Sequence, residues 1–204
     1  MNDTRALAIA GAGAALGMAV LAVATRSRAV RRMDRAVEWR VRPLRPRIRL
    51  AARIGTQPGE PYAHWPLGAA VAATVIVCND GSPWRAFIPM ASASLGAILM
   101  HHAVKAVYAR ARPRHALLLG KTEPAFPSGH TADATAVLAT GAWLLVREGL
   151  VSPAIVAPVA VAVALVVGAS RVALGWHWSS DVIGGWLTGI AVAAGCAIAY
   201  EQLR

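Results

Sequence analysis

Three groups of polar residues in this 204-residue chain carry side chains that could do chemistry on an anion. The groups are Lys105 with Arg112-Pro113, then Pro127-Ser128-Gly129-His130, and finally Ser170-Arg171 with His177 and Asp181. Lys105, Arg112 and Arg171 supply three fixed positive charges, and the sequence places no carboxylate directly beside the first two. A dianionic phosphate needs such a complement, and arginine offers paired donors that match phosphate oxygens.

The remaining members of these groups supply an anion cradle and proton chemistry. Ser128-Gly129 is expected at the start of a helix, where free backbone N–H groups favour an anion and glycine allows close approach. His177 and Asp181 are four positions apart, which is one helical turn or a short loop. A carboxylate on one ring nitrogen fixes the tautomer and makes the other nitrogen a nucleophile. His130 is then free to act as the general acid, so the set predicts a phosphoryl-transfer site.

The composition predicts that these residues are positioned by membrane-spanning helices. Hydrophobic residues make up 56% of the chain, charged residues 15%, and the mean hydropathy is +0.49, which excludes a disordered chain and disfavours a soluble domain. Six apolar segments approach the roughly 20 residues that a bilayer requires: Ala6–Ala24, Tyr62–Cys78, Ala86–Val104, Thr131–Val146, Pro153–Ala169 and Val182–Tyr200. We therefore predict an all-α, polytopic membrane helix bundle with about six transmembrane helices, forming one domain over residues 1–204.

The order of the spans predicts where the polar groups meet. The chain leaves the membrane after the third span, re-enters at the fourth, leaves after the fifth and re-enters at the sixth. All three groups therefore lie on one membrane face. Gly185 and Gly189 have a small-residue spacing that suits close helix packing, either within the bundle or in a homodimer. The first span is expected to be retained, although Ala22-Val23-Ala24 resembles a signal-peptide cleavage site.

The most charged stretch, residues 25–61, follows the first span and holds eleven arginines. Apolar residues recur in it at three- and four-residue steps, namely Val30, Met33, Val37, Val41, Leu44 and Ile48. This pattern predicts an interfacial helix with its apolar stripe in lipid and its arginines toward anionic lipid phosphates, kinked or broken at Pro43 and Pro46. Nucleic-acid binding is not expected, because no aromatic platform or known motif accompanies the charge.

The spacing of the motif residues resembles the three-part signature of the type-2 phosphatidic acid phosphatase superfamily. This superfamily includes lipid phosphatases, polyprenyl pyrophosphate phosphatases, glucose-6-phosphatase and the vanadium haloperoxidases. The matching residues are Lys105, Arg112-Pro113, Pro127 to His130, Ser170-Arg171, His177 and Asp181, with Gly175 to Trp178 and Asp181 to Gly185 also similar. No signature position departs from the pattern.

The resemblance implies a role for each of these residues within the catalytic region 105–181. His177 would be the nucleophile that forms a phosphohistidine, Asp181 its partner, and His130 the acid and later the base. The phosphate would be held by Lys105, Arg112, Ser128, Gly129 and Arg171. No metal and no cofactor would be required. The expected function is a metal-independent membrane lipid phosphatase acting on a polyprenyl or glycerophospholipid phosphomonoester or pyrophosphate.

Two other functions remain open at this point. A phosphotransferase would pass the phosphoryl group from phosphohistidine to an alcohol acceptor. A non-enzymatic transporter or scaffold would only recruit anionic lipid, which does not require His130, His177 and Asp181. The expected partners are a lipid phosphate substrate, anionic membrane lipids and, as a further candidate, a second copy of the chain in a homodimer.

Several other polar residues allow more than one interpretation. Asp133 would pair with an arginine of the site or lie in the membrane interface. Arg110, Arg114, Lys121 and Glu123 would contact a substrate head group or belong to a solvated loop. His64, His101, His102 and His115 are expected to be interfacial rather than metal ligands, and Cys78 and Cys196 to be packing residues.

The distribution of lysine and arginine predicts the orientation in the cell membrane. Seventeen of the 21 lie on the face that carries the motifs, and four lie on the opposite face. The positive-inside rule therefore favours a cytoplasmic site, whereas many bacterial relatives are expected to work on the outer face.

Overall fold

The structure, a computed structural model, describes residues 3–79 and 83–203 as helices joined by short loops, with no strand in these ranges. The α-helices are α1 Asp3–Ala24, α2 Arg28–Val41, α3 Arg45–Gly55, α4 Pro61–Cys78, α5 Trp84–Val107, α6 Arg114–Leu118, α7 Gly129–Arg147, α8 Pro153–Ala173 and α9 Ser179–Leu203. Single 3₁₀ turns occupy Arg42–Leu44 and Gln57–Gly59.

The six predicted spans correspond to α1, α4, α5, α7, α8 and α9. Among the described helices, all of these except α7 are long and apolar enough to cross a membrane. Helix α7 is more polar because it carries Thr131, Asp133, Thr135 and Thr140, all of them buried. It packs against α4, α5, α8 and α9, so its polar side chains lie against protein instead of lipid. The protein is a multi-pass membrane protein with α7 near the centre of its bundle.

Small residues bring α7 and α9 into close contact. A Cβ on Gly189 would lie 2.5 Å from Thr135 Cβ, and a Cβ on Gly185 would lie 2.7 Å from the Ser128 carbonyl oxygen. These distances leave room only for glycine. The Gly185 and Gly189 pair therefore serves packing within the bundle and fixes the start of α7 against the start of α9.

The basic segment forms two short helices at the end of the bundle that carries the motifs. Pro43 lies in the 3₁₀ turn between α2 and α3, and Pro46 lies in the first turn of α3, so the predicted break occurs there. Helix α3 packs against α8, and Arg45 Nε donates to the Ala173 carbonyl oxygen at 3.1 Å. The stripe predicted to face lipid is partly covered by protein, because four of its six residues are half-buried.

Candidate active site

The three motif groups meet at one end of the bundle, as the order of the spans predicts. The Ser128 N–H at the start of α7 donates to the Asp181 carbonyl oxygen at 2.9 Å. In the loop before α9, His177 Nε2 lies 3.1 Å from Arg112 Nη1, which also donates to the Trp176 carbonyl oxygen at 3.0 Å. These contacts join the first motif group to the third and the second to the third.

His177 is buried beside Asp181, and its two ring nitrogens have different surroundings. Nδ1 lies 3.5 Å from Asp181 Oδ2, which accepts the Trp178 N–H at 2.8 Å. Nε2 faces the Arg112 guanidinium, which can donate only to an unprotonated nitrogen. Burial, followed by the charges of Arg171, Arg112 and Lys105, lowers the pKa of His177 well below its ordinary value. The ring is therefore neutral at physiological pH, and its Nε2 keeps a lone pair.

The three predicted cations surround this histidine at different depths. Arg171 is 3% exposed and donates through Nη1 to Thr56 Oγ1 at 2.9 Å, whereas its buried Nε has no hydrogen-bond partner in the described part of the chain. Its guanidinium lies 4.4 Å from the centroid of the Trp176 ring, and Lys121 Nζ lies 4.4 Å from the same ring. The free Nε leaves Arg171 with a donor for an anion.

A carboxylate approaches the other two cations, contrary to the expectation that they have none beside them. Glu123 lies 3.9 Å from Lys105 and 3.8 Å from Arg112, and its backbone carbonyl accepts a hydrogen bond from Arg112 Nε. The Glu123 side chain is 78% exposed, so water screens its charge. Burial lowers the pKa of Arg112, while Glu123 and then Asp181 oppose that shift.

The start of α7 offers backbone donors and a positioned histidine. Ser128 is buried, but its side chain makes no capping bond to the first turn; its Oγ accepts from Thr131 Oγ1 at 2.9 Å. The first N–H groups of α7 are therefore left for an anion. A Cβ on Gly129 would lie 3.1 Å from the His101 ring, so the backbone is closely packed there.

His130 has a partner that the sequence did not predict. His130 Nε2 lies 2.7 Å from Glu60 Oε1, and both side chains are partly exposed. Glu60 precedes α4 and follows Gly59, where a Cβ would lie 2.7 Å from the His130 Cβ. Gly59 therefore lets this loop approach the start of α7, where Glu60 contacts His130. The only sequence feature that pointed to this contact is the glycine next to a carboxylate.

Arg110 does not belong to a solvated loop, and it connects the basic segment to Asp181. Its Nη1 donates to Asp181 Oδ1 at 2.6 Å and to Ser180 Oγ at 2.7 Å, and its Nη2 donates to Asp34 Oδ2 at 2.6 Å. Asp34 lies in α2, is 2% exposed, and also accepts from Ser179 Oγ at 2.8 Å and from the Ser180 N–H at 3.0 Å. Two buried carboxylates thus share one guanidinium at the start of α9.

Three further interpretations were wrong, namely those of Asp133, of His64 with His101, and of Cys78. Asp133 lies 3.5 Å from His101 Nε2 inside the bundle, so it neither pairs with an arginine nor lies in the interface. His64 and His101 are buried between helices, so they are not interfacial. Cys78 is exposed and is not a core packing residue, whereas Cys196 is buried. No group of three or more His, Cys, Asp or Glu that could hold a metal occurs within residues 3–79 and 83–203.

Comparison with known proteins gives consistent matches. Residues 86–204 match the sequence model described as the PAP2 superfamily. Over 95 residues the chain is 36% identical to phosphatidylglycerophosphatase B of Bacillus subtilis strain 168. The aligned region covers 45% of this chain and 47% of that protein. The chain thus spans about half the length of the curated relative that it matches.

A solved structure matches almost the whole chain. It is described as the first transmembrane PAP2-type phosphatidylglycerolphosphate phosphatase, from Bacillus subtilis, with a TM-score of 0.85 and 26% identity. The match covers 96% of this chain and 98% of that one. The predicted all-α membrane fold is thereby confirmed.

Proposed function

Because the chain belongs to the PAP2 superfamily, we propose that it is a membrane phosphatase that hydrolyses the phosphomonoester of a glycerophospholipid. The observation that carries this proposal is the buried His177 with its Nε2 beside Arg112, within a ring of cations. Both compared proteins are phosphatidylglycerophosphate phosphatases by name, so this lipid is the first substrate to test. A polyprenyl pyrophosphate is the second, and no observation favours a phosphotransferase.

The proposed binding step neutralises the phosphate before any bond breaks. Lys105, Arg112 and Arg171 contact its oxygens, and the Ser128 hydroxyl together with the N–H groups of the first turn of α7, from Gly129 onward, completes the cradle. The unpartnered Arg171 Nε supports this assignment, because a buried donor without an acceptor is costly unless a ligand satisfies it. The same donors stabilise the charge that spreads over the equatorial oxygens in the transition state.

The proposed chemical step forms a phosphohistidine. His177 Nε2 attacks phosphorus while the bond from phosphorus to the lipid oxygen breaks, and His130 gives its proton to that leaving oxygen. Asp181 stabilises the positive charge that develops on the His177 ring. His130 then takes a proton from water, whose oxygen attacks phosphorus and releases inorganic phosphate together with neutral His177.

The experiment that tests this proposal measures phosphate release by the purified protein from a lipid panel. The panel contains phosphatidylglycerophosphate, phosphatidic acid and a polyprenyl pyrophosphate, each with and without excess EDTA and vanadate. We expect turnover to persist in EDTA, to be inhibited by vanadate and to be lost in His177→Ala. Turnover abolished by EDTA and restored by a divalent ion would contradict the mechanism, and transfer to added glycerol would favour a phosphotransferase.

We propose that the site faces the cytoplasm across the cell membrane. The support is the count of seventeen lysines and arginines on the motif face against four on the other. An Arg47→Cys variant lacking Cys78 and Cys196 tests this, because Arg47 is exposed in α3. We expect an impermeant thiol reagent to label this cysteine in lysed cells but not in whole cells. Labelling of whole cells would place the site outside.

The finer expectations about partners and domains are also proposals. Anionic lipids would bind the arginines of residues 25–61, and the whole chain would act as one domain. A homodimer would use the face of α1 around Gly13, where an added Cβ meets nothing within 4 Å. Cross-linking of a Gly13→Cys variant in the membrane tests the dimer, with Gly11→Cys, which faces Ala194, as the control.

A further inference from the structure

A cavity of about 500 Å³ lies between α2 and the loop that follows α5. Its walls come from the turn after α1, from α2, from residues 107–112 and from Trp178. His177, His130, Lys105 and Arg171 do not line it, and Arg112 is the one residue that it shares with the proposed catalytic phosphate site. The volume is in the range of small-molecule sites, so the cavity can hold a polar head group.

The charge of this cavity is strongly positive. Arg26, Arg31 and Arg35 line it, and none of them has a carboxylate within ion-pair distance among residues 3–79 and 83–203. Asp34 also lines it, but its oxygens already accept from Arg110, Ser179 and Ser180. The cavity therefore presents free guanidinium groups, which bind phosphate through paired donors.

The position of the cavity along the chain places it at head-group depth. Thr25 and Arg26 directly follow α1, and Tyr108 directly follows α5. The Arg26 guanidinium lies 5.3 Å from the centroid of the Tyr108 ring, and Trp178 Nε1 donates to the Ala111 carbonyl oxygen. Aromatic rings and arginines at span ends are typical of the membrane interface.

We propose that this cavity is a second phosphate site, which takes the phosphodiester of a lipid head group. The phosphodiester could come from the substrate itself, since phosphatidylglycerophosphate carries one besides its terminal phosphomonoester. It could also come from a neighbouring anionic lipid such as phosphatidylglycerol. Because Asp34 and Arg110 form part of the wall, occupancy holds α2 against the loop that orients Asp181. The kinetic part of this proposal rests on the proposed function, whereas the binding part does not.

The test compares two double variants of α2 that remove the same charge. Arg31→Gln/Arg35→Gln removes two cavity arginines, and Arg32→Gln/Arg40→Gln removes two exposed arginines that do not line the cavity. Native mass spectrometry of the full chain counts the phosphatidylglycerol molecules retained in a neutral detergent. We expect the wild type and the control to retain one molecule more than the cavity variant.

Initial rates then identify the source of the phosphodiester. If it belongs to the substrate, the cavity variant raises KM for phosphatidylglycerophosphate by about 30-fold relative to the control and leaves KM for phosphatidic acid unchanged. If it belongs to a neighbouring lipid, added phosphatidylglycerol activates the wild type and the control on both substrates but not the cavity variant. Equal lipid retention and equal kinetics in the two double variants would overturn the proposal. Absence of wild-type turnover would instead contradict the proposed function, while the retention measurement would still decide whether the cavity binds lipid.

Discussion

Replacing Asp34 by asparagine tests whether the basic segment orients the catalytic carboxylate. Asp34 Oδ2 accepts from Arg110 Nη2 at 2.6 Å and from Ser180 Oγ at 2.7 Å, while Oδ1 accepts from Ser179 and from the Ser180 N–H. In Asp34→Asn the amide oxygen can keep the Oδ1 contacts, but the amide nitrogen then faces the Arg110 guanidinium, donor against donor. Arg110 loses one of its two carboxylate partners and keeps Asp181, so its guanidinium is held less firmly beside the catalytic carboxylate.

The magnitude follows from the loss of one charge-assisted hydrogen bond in a buried place. Such bonds contribute about 1.5–3 kcal/mol, and breaking a buried ion pair costs about 3–5 kcal/mol because the other charge is left uncompensated. Arg110 retains Asp181, so the lower range applies. If about 2 kcal/mol falls on the transition state, the rate of phosphoenzyme formation falls roughly 30-fold.

A single-turnover burst separates this effect from loss of folded protein. The burst amplitude counts competent sites, and the burst rate measures chemistry in each of them. We expect Asp34→Asn to lower the rate with an amplitude close to that of the wild type. The matched control is Glu38→Gln, which removes the other carboxylate of α2; that carboxylate pairs with Arg45 and not with Arg110. A reduced amplitude with an unchanged rate, or equal rates in the two variants, would refute the positioning role.

Three further predictions address the catalytic histidines and the helix packing. His130→Ala should slow the burst with a lipid phosphate by about 10²–10⁴-fold and affect p-nitrophenyl phosphate much less, since a good leaving group needs no acid; equal losses on both substrates would remove the assigned role. Because burial and nearby cations lower the pKa of His177, its neutral form persists below about pH 6.5 and the acid limb of the burst rate should lie below that value. Lys105→Gln removes one of those cations and should move the limb to higher pH, whereas the same limb in both proteins would contradict this. Gly189→Ala should destabilise the bundle by about 1–3 kcal/mol in thermal unfolding, because its Cβ would lie 2.5 Å from Thr135 Cβ, while Gly195→Ala in the same helix, with nothing within 4 Å, should not.

The sequence predicted the family, the helical membrane fold and the convergence of the three motif groups. These predictions rest on local information, because hydropathy over about 20 residues identifies a span and the order of spans assigns a face. Helix α7 shows the limit of hydropathy. Its threonines and Asp133 lower its hydropathy, and they are tolerated because they are buried against neighbouring helices. The hydropathy of a single segment does not reveal those neighbours.

The partners of the motif residues could not be predicted, since they depend on how distant segments dock. Asp34 and Arg110 are 76 positions apart, and Arg171 and Thr56 are 115 apart. One signal was available for Asp34, which lies on the same helical face as Val30, Val37 and Val41. A carboxylate on an otherwise apolar face needs a buried partner. Many arginines lie near Asp34 in the sequence, so the sequence alone does not show that the partner is Arg110.

The docked position of the basic segment gives it a role beyond membrane attachment. Each motif group has a partner in residues 25–61: Asp34 holds Arg110 beside the first group, Glu60 contacts His130 of the second, and Thr56 accepts from Arg171 of the third. These three residues precede residue 86, where the match to the family begins, so the family signature alone does not include them. The segment that reads as a lipid anchor therefore also supplies contacts at three points of the site. A change in how α2 and α3 lie on the membrane would consequently reach Arg110, His130 and Arg171 together, because all three side chains contact this one segment.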